Sequence, residues 1–199
     1  MHVGDVVDDR FVLEKKAGAG GMGVVFRALD KSSGSPVAVK AVLGSEHEFE
    51  RFEREVAALV RIQHARVVRY IAHGGVGDER YLAMEWLDGE DLSERLARGA
   101  LDLESTLHVV RGIAEGLDAL HAADIVHRDI KPSNVFLGQG KIEDAKLLDL
   151  GIAHTHDVTW TLTAAGSLLG TPAYMAPEQA RGEFVDARAD LFSLGCVFY

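Results

Sequence analysis

The spacing of the apolar residues changes partway along the chain, and this change constrains the fold more than any other feature. Before about Glu85, short apolar runs alternate with stretches that contain glycine, a pattern that indicates β-strands. One helix is predicted among them at Glu46–Ile62, because its apolar residues recur at spacings of three and four. The predicted strands are Phe11–Ala17, Val24–Leu29, Pro36–Val42, Val67–Ala72 and Tyr81–Met84.

After "LDGED" (87–91) the pattern becomes helical. A long helix is predicted at Leu103–Ala122, because its apolar residues share one face. Gly112 and Gly116 lower the helix propensity of this segment. We therefore expect a close neighbour on the face that carries them.

Two short strands, Val135–Leu137 and Lys146–Leu148, follow the long helix and a polar loop. The sequence therefore predicts an α+β fold with two lobes. A β-rich lobe with one helix occupies 1–87, and a larger, mainly helical lobe occupies 88–199. Together they would form one domain, with a small ligand in the cleft between the lobes.

Composition argues against several classes of protein. The net charge of −10, from 21 basic and 31 acidic residues, argues against a nucleic-acid-binding surface, which requires a basic face. Cys196 is the single cysteine, so neither a disulfide framework nor a cysteine-rich zinc site is expected, and a reducing cytoplasm is the expected setting. The acidic start does not resemble a signal peptide. The uncharged run 158–177 is too rich in Thr and Gly for a membrane helix.

The chain ends in "ADLFSLGCVFY", a helical pattern that stops at Tyr199 without a C-cap signal. A chain that stops within an element predicts an incomplete second lobe. Leu191, Leu194 and Val197 would then be exposed, so we expect the chain alone to be unstable or partly unfolded. The sequence leaves open which segments lie beyond Tyr199, a membrane anchor among them.

The stretch "GAGGMGVV", at 18–25, fits the pattern G-x-G-x-x-G-x-V. It lies between two predicted strands, whereas a dinucleotide-binding loop leads from a strand into a helix. Glycines allow the backbone to approach phosphates closely. Alone, the pattern is equally compatible with a glycine-rich hairpin turn.

Lys40 ends the apolar strand that contains "VAVK". A buried lysine requires an anionic partner, and Glu55 lies on the apolar side of the predicted helix that follows. An ion pair between Lys40 and Glu55 is therefore predicted. The alternatives are a lysine that reaches water from the end of its strand and a carboxylate at the rim of the helix.

The stretch "HRDIKPSN", at 127–134, concentrates polar groups between two apolar elements. Asp129 could accept a proton from a hydroxyl, and Lys131 could neutralise a transferring phosphoryl group. Asn134, together with Asp149 in "LLDLG", could ligate a divalent ion such as Mg²⁺, which favours oxygen ligands. Each residue alone could equally form a turn, but the complete ordered set favours a catalytic centre.

These motifs, in this order, resemble the signature of eukaryotic-type protein kinases. The series is completed by "DLG" and by "APE" at 176–178, and the resemblance covers Phe11 to Tyr199. Lys131 is similar to the serine/threonine branch, and "GTPAYMAPEQ" resembles bacterial members. The resemblance implies a bilobal kinase fold that stops within the C-terminal lobe, after the catalytic loop, the activation segment and the start of the next helix.

The resemblance also implies an activity and its cofactors. The expected activity is the transfer of the γ-phosphate of Mg-ATP to serine or threonine hydroxyls of protein substrates, in signalling and with autophosphorylation by self-association. Asp129 would deprotonate the hydroxyl, with Lys131 beside it. Asn134 and Asp149 would hold Mg²⁺, and Lys40, held by Glu55, would contact the α- and β-phosphates.

For the nucleotide, the resemblance implies that Met84 is the gatekeeper and that the backbones of Glu85 and Leu87 meet the adenine edge. The adenine would lie between Val25, Ala38 and Phe136, with Asp91 near the ribose, while the glycine-rich loop covers the phosphates. The residues implied in ATP binding are Ala17, Gly18, Ala19, Gly20, Gly21, Met22, Gly23, Val25, Ala38, Lys40, Met84, Glu85, Leu87, Asp91 and Phe136.

Arg128 precedes the implied catalytic acid, a pairing that in this family accompanies control by phosphorylation of the activation segment. A phosphate there could pair with Arg128 and order the segment. Thr171 is similar to the threonine that forms a platform for the substrate, and His127 is expected to be structural. The candidate phosphosites are Thr159, Thr161, Thr163 and Ser167.

The sequence departs from the family motif at one position, and it leaves two alternative functions to be weighed. The metal motif reads "DLG", and Leu150 still supplies an apolar side chain. An inactive pseudokinase that binds nucleotide or partners is one rival, which the complete motif set disfavours. A small-molecule phosphotransferase is the other, and "GTPAYMAPE", which resembles a peptide-docking segment, favours a protein substrate instead.

Overall fold

The computed structural model describes residues 1–20, 23–42, 56, 59–60, 62–76, 79–148 and 172–199. The chain divides into two compact units. The first contains Met1–Gln63 and Val68–Trp86, and the second contains His64–Val67 and Leu87–Tyr199. The division into lobes at 1–87 and 88–199 stays a prediction.

The first unit contains one six-stranded antiparallel sheet, with the strand order β1-β2-β3-β4-β6-β5. Of the helix predicted at Glu46–Ile62, only a few residues are described. Among these, Val56 and Leu59 are helical and buried. The strands are β1 (Val6–Val7), β2 (Phe11–Gly20), β3 (Gly23–Asp30), β4 (Ser35–Val42), β5 (Tyr70–Val76) and β6 (Glu79–Glu85).

The strand predicted at Val67–Ala72 begins and ends later than expected, at Tyr70–Val76. The sequence favours an earlier end because Gly74 and Gly75 indicate a turn. In the structure these glycines lie within the ladder, opposite Tyr81 and Arg80. A Cβ atom on Gly74 would lie 2.8 Å from the Tyr81 ring. The glycines therefore make room for the large side chains of β6.

One face of this sheet forms the hydrophobic core of the first unit. Phe11 and Tyr81 meet there edge to face, with their ring centroids 5.7 Å apart. Because side chains alternate between the faces of a strand, every second residue of β3 and β4 faces this core. Its buried residues are Val7, Phe11, Leu13, Phe26, Ala28, Val37, Val39, Ala41, Tyr81 and Ala83.

An ion pair ties the start of β2 to the end of β3. The Asp30 side chain is 2% exposed and accepts hydrogen bonds from Nε and Nη2 of Arg10, both at 2.8 Å. The hydroxyls of Ser32 and Ser33 donate to the same carboxylate. The Arg10 guanidinium holds the pKa of Asp30 well below its usual range, so the buried carboxylate stays charged.

The second unit combines helices with a three-stranded antiparallel sheet of order β7-β8-β9. The predicted helix Leu103–Ala122 is confirmed to within one residue. The elements are β7 (Gly89–Asp91), α1 (Leu92–Leu96), α2 (Leu103–His121), β8 (Val135–Gly138), β9 (Ala145–Leu147), α3 (Pro177–Ala180) and α4 (Ala187–Phe198).

The sequence did not predict α1, a five-residue helix. Its N-cap is Asp91, whose carboxylate accepts the Glu94 N–H at 2.9 Å, while the Glu94 side chain accepts the Asp91 N–H at 3.2 Å. This capping box satisfies two otherwise unpaired donors. The spacing of Asp91 and Glu94 is a local signal that could have identified the helix.

The close neighbour predicted for the glycines of α2 is present at Gly116. A Cβ atom there would lie 2.9 Å from both the Arg66 carbonyl oxygen and the Leu147 side chain. At Gly112 the nearest atom, the Cβ of Ala145, would be 3.5 Å away. The helix therefore requires glycine at Gly116, whereas Gly112 has room for a methyl group.

The last helix, α4, buries one side and exposes the other. Leu191 is 55% exposed, as expected, but the expectation that Leu194 would be exposed is wrong, because Leu194 is 9% exposed. Leu194 lies four residues after the buried Asp190 and therefore on the same helical face. No helix within the described ranges combines the length and apolarity needed to cross a membrane.

Candidate active site

The loop "HRDIKPSN" brings three of the predicted site residues together. Lys131 Nζ lies 2.8 Å from Asp129 Oδ2, and Asn134 Nδ2 donates to the same oxygen at 2.8 Å. Asn134 Nδ2 also lies 2.7 Å from the Asp129 backbone oxygen. A short 3₁₀ turn, Pro132–Asn134, produces this approach by folding Asn134 back toward Asp129. The result is a carboxylate held by an ammonium group and an amide.

The orientation of Asn134 is determined by these contacts. Its side-chain nitrogen faces Asp129, so its Oδ1 oxygen is the end that could accept a cation. Its backbone oxygen accepts the Leu148 N–H at 2.9 Å, which holds the chain directly before Asp149. Asp149 itself lies outside the described residues. Within the described ranges, no three His, Cys, Asp or Glu side chains are grouped to hold a metal ion.

His127 supports the loop from the inside. It has no exposed surface, and its Nε2 lies 2.8 Å from the Leu148 carbonyl oxygen. Burial lowers the pKa of the imidazole, so the neutral ring is favoured and Nε2–H donates to that carbonyl. The contact links the loop at 127–134 to Leu148, directly after β9, in line with the structural role expected for His127.

Asp190 is a supporting residue that the sequence analysis missed. Its side chain is 1% exposed. Its Oδ2 accepts the His127 N–H and its Oδ1 accepts the Arg128 N–H, both at 2.8 Å. The same Oδ2 lies 2.8 Å from His121 Nε2. A carboxylate within the apolar "ADLFSLG" pattern is the signal that could have identified it.

Arg128 has an unusual backbone conformation. Its φ angle is 66°, in the left-handed region that non-glycine residues rarely adopt. Its Nε is buried and has no hydrogen-bond partner within the described ranges. The bond from its N–H to Asp190 helps to hold the strained conformation immediately before Asp129.

Four of the predicted nucleotide-binding residues share one face of the sheet in the first unit. In the ladder, Val25 is opposite Lys40, and Ala38 is opposite Met84. Because these positions alternate with the core residues, their side chains lie on the face that points away from the core. Lys40 is 8% exposed. Its predicted partner Glu55 lies outside the described residues.

The described residues of the glycine-rich motif end β2 and begin β3, where Gly20 is opposite Gly23. Gly23 has a φ angle of +121°, and a Cβ atom there would lie 2.1 Å from the Ala41 carbonyl oxygen. Both observations require glycine. Antiparallel pairing up to these residues is compatible with both interpretations of the motif, so phosphate binding by this loop stays a prediction. Gly21 and Met22 lie outside the described residues, while Ala17, Gly18 and Ala19 belong to β2.

The residues predicted for the adenine and ribose divide between the units. Glu85, at the end of β6, donates its N–H to the Arg69 carbonyl at 2.9 Å, so an adenine contact at Glu85 would use its carbonyl oxygen. Leu87, Asp91 and Phe136 belong to the second unit. Asp91 lies opposite Phe136 in the ladder of β7 and β8, and its carboxylate caps α1.

The predicted phosphosites and the platform residue Thr171 lie outside the described residues, so their roles stay predictions. The same applies to Leu150 of the metal motif. The phosphosites in question are Thr159, Thr161, Thr163 and Ser167.

Comparison with known proteins identifies the family. The model of the protein kinase domain matches residues 11–199, and the chain therefore belongs to the protein kinase family. It is 40% identical over 201 residues to the serine/threonine-protein kinase pkn2 of Myxococcus xanthus, covering 98% of this chain and 24% of that protein. The chain spans between 24% and 38% of the length of three curated kinases from that organism.

Solved structures agree with the kinase fold. A crystal structure of a mutant PknI kinase domain from Mycobacterium tuberculosis matches with a TM-score of 0.81 and 25% identity, covering 100% of this chain and 75% of that one. A crystal structure of Rad53 in complex with AMP-PNP matches with a TM-score of 0.77 and 28% identity, covering 96% of this chain and 47% of that one. Protein kinases generally use ATP with Mg²⁺ and act on protein hydroxyls.

Proposed function

We propose that this chain acts as an ATP-dependent serine/threonine protein kinase, built from lobes at 1–87 and 88–199. The observation that carries the proposal is the cluster of Asp129, Lys131 and Asn134, in which two donors lie 2.8 Å from one carboxylate oxygen. Phosphoryl transfer to a hydroxyl needs an acceptor for the proton and cations for the developing charge. Membership of the protein kinase family supports the same reaction.

In the proposed reaction, Asp129 accepts the proton of a serine or threonine hydroxyl while the hydroxyl oxygen bonds to the γ-phosphorus. The bond from that phosphorus to the bridging oxygen of the β-phosphate breaks, and ADP leaves. Lys131 carries its positive charge 2.8 Å from Asp129. This charge would stabilise the negative charge that develops on the transferred group.

Asn134 and Asp149 are proposed as the ligands of Mg²⁺. The donor chemistry fits, since Mg²⁺ prefers oxygen ligands. Asn134 directs its side-chain nitrogen toward Asp129, so its Oδ1 would contact the ion. The bound ion would neutralise charge on the ATP phosphates.

ATP is proposed to bind on the sheet face that carries Val25, Ala38, Lys40 and Met84. Val25 and Ala38 would contact one face of the adenine ring, and Phe136 would contact the other face. Lys40, paired with Glu55, would contact the phosphates, and amides of the glycine-rich loop would cover them. The further contacts proposed are the Glu85 carbonyl, the Leu87 N–H and Asp91.

Control by phosphorylation is proposed to act through Arg128. Its buried Nε, which has no partner within the described ranges, is suited to an added phosphate. Candidate acceptors are Thr159, Thr161, Thr163 and Ser167, and Thr171 would support the substrate near Asp129. The proposed partners are protein substrates and a second copy of the chain during autophosphorylation, in the cytoplasm.

The test is the intact mass of the chain after incubation with Mg-ATP, beside an Asp129→Asn variant. We expect phosphate to be added to the native chain and not to the variant, because the amide cannot accept the hydroxyl proton. A protein substrate added in the same assay measures transfer to another chain. Equal masses with and without ATP, together with no labelling of added substrate, would contradict the proposal.

A second variant set tests the control element. Replacing Thr159, Thr161, Thr163 and Ser167 together by alanine should lower activity toward the added substrate. An unchanged rate would exclude these four residues as the control element and leave the kinase assignment intact.

A further inference from the structure

Gln179, in α3, bridges two parts of the second unit that are distant in sequence. Its Nε2 donates to the Arg128 carbonyl oxygen at 2.9 Å, across 51 residues. Its Oε1 accepts the Ala176 N–H at 3.2 Å. Both ends of the amide are therefore engaged, which determines its orientation. Ala176 is fully buried, so the residue that anchors the Gln179 side-chain oxygen is itself held by packing.

The carbonyl that Gln179 binds belongs to the peptide bond between Arg128 and Asp129. Asp190 holds the N–H of Arg128 at 2.8 Å, and Gln179 holds its carbonyl group. Arg128, whose φ angle is 66°, therefore has both its N–H and its carbonyl group bound by side chains from distant parts of the chain. Such strained conformations persist where the surrounding structure holds them. The second of these contacts orients the peptide from which the Asp129 side chain projects.

We propose that Gln179 is a positioning residue for Asp129, which acts through the peptide bond between Arg128 and Asp129. The proposal rests on the phosphotransfer function proposed above. Gln179 thereby links the segment that ends at "APE" to the catalytic loop. Loss of its donor would let this peptide rotate and displace the Asp129 carboxylate. Nucleotide contacts would be unaffected.

The decisive variant is Gln179→Glu, which keeps the length of the side chain and its acceptor. An ionised carboxylate cannot donate to the Arg128 carbonyl and repels its oxygen, whereas a protonated carboxyl group can donate. At neutral pH we expect kcat for an added protein substrate to fall about 10- to 100-fold, since small misplacements of reacting groups have effects of this size. KM for ATP should change less than about twofold, because Gln179 is not among the residues proposed to contact the nucleotide.

The pH dependence separates positioning from simple structural support. As the pH falls from about 8 to 5, the ratio of kcat of Gln179→Glu to that of the native chain should rise at the acid end, because the protonated fraction that can donate grows as the pH approaches the ordinary glutamate pKa of about 4.3. Gln179→Met, which has a similar length and no donor, should be slow throughout this range. Gln139→Glu adds the same charge at an exposed turn and should leave kcat unchanged.

Two results would overturn the inference while the kinase proposal stands. One is native kcat in both Gln179→Glu and Gln179→Met. The other is a loss of kcat in Gln179→Glu that is independent of pH and matches its loss of folded protein, measured by circular dichroism. A native chain that transfers no phosphate at all would instead contradict the proposed function, and the role of Gln179 with it.

Discussion

Asp190 should be essential both for stability and for catalysis, although it is far in sequence from the catalytic loop. Its side chain is 1% exposed and accepts the N–H groups of His127 and Arg128 at 2.8 Å. Replacing Asp190 by alanine leaves both donors buried without a partner. A buried donor without its acceptor costs about 1–3 kcal/mol, so the two together cost about 2–6 kcal/mol. This loss is a large share of the free energy of unfolding of an ordinary domain, which is roughly 5–15 kcal/mol.

Asp190→Asn is the sharper variant because it preserves shape. Oδ1 accepts from Arg128 and Oδ2 from His127, so whichever oxygen becomes NH₂ will face a backbone N–H donor. We expect this variant to lose about 1–3 kcal/mol in the free energy of unfolding, since one buried donor loses its acceptor. Its kcat should fall about 10- to 100-fold, because Arg128 and Asp129 are no longer held in place.

The measurements are urea unfolding followed by circular dichroism, and kcat with an added protein substrate. Asp186→Asn is the matched control, since Asp186 is the N-cap of the same helix, its side chain is 38% exposed, and asparagine caps equally well. It should change neither quantity appreciably. If Asp190→Asn unfolds at the same urea concentration as the native chain and keeps its kcat, the three hydrogen bonds to Asp190 do not support the loop.

Three further predictions concern the packing and charge of the two units. Gly116→Ala should lower the free energy of unfolding by about 1–3 kcal/mol, because the added methyl group overpacks the helix contact. Gly112→Ala should raise it by up to about 1 kcal/mol, because alanine has the higher helix propensity. Urea unfolding measures both, and equal effects would contradict the contacts described for α2. Burial keeps the pKa of His127 below its unfolded value of 6.5, so its stabilising contribution is complete above that pH and declines as the pH falls below it. NMR should show the His127 ring titrating at a lower pH in the folded chain than in urea, where the ordinary histidine pKa of about 6.5 is expected; the same midpoint in both states would contradict this prediction. Arg10→Leu should lower the free energy of unfolding by about 2–3 kcal/mol, because it leaves the buried Asp30 carboxylate without its partner. The loss is smaller than for a fully buried pair, since the Arg10 side chain is 36% exposed. It should disappear in urea unfolding when Asp30 is also replaced by Asn.

Local patterns predicted most of the elements, because each depends on neighbours along the chain. The helix at Leu103–His121 has a continuous apolar face, and its boundaries were predicted to within one residue. The strands β2, β3 and β4 are short apolar runs between turns. The displaced strand β5 shows the limit of this reasoning, since Gly74 and Gly75 indicate a turn unless the size of the opposite residues is known.

Two residues show how an ambiguous sequence pattern limits prediction. Leu194 was expected to be exposed, and it is buried because its helical face is the one that carries Asp190. Asp91 was predicted near the ribose, and in the structure its carboxylate caps α1. The capping contact uses Oδ1, so a ribose contact stays a prediction. One residue type can satisfy a local and a distant requirement, and only the local one is visible in the sequence.

The catalytic loop itself shows why a site is only partly predictable. Asp129, Lys131 and Asn134 contact one another across two and five residues, so their order in the sequence is enough to place them together. The contacts that hold the preceding peptide come from Gln179 and Asp190, 51 to 63 residues away. A turn can bring its own side chains together, but a left-handed residue inside a buried loop must be held from outside. The candidate reacting groups of such a loop can therefore be named from the sequence, while the groups that hold the loop in position emerge only from the fold.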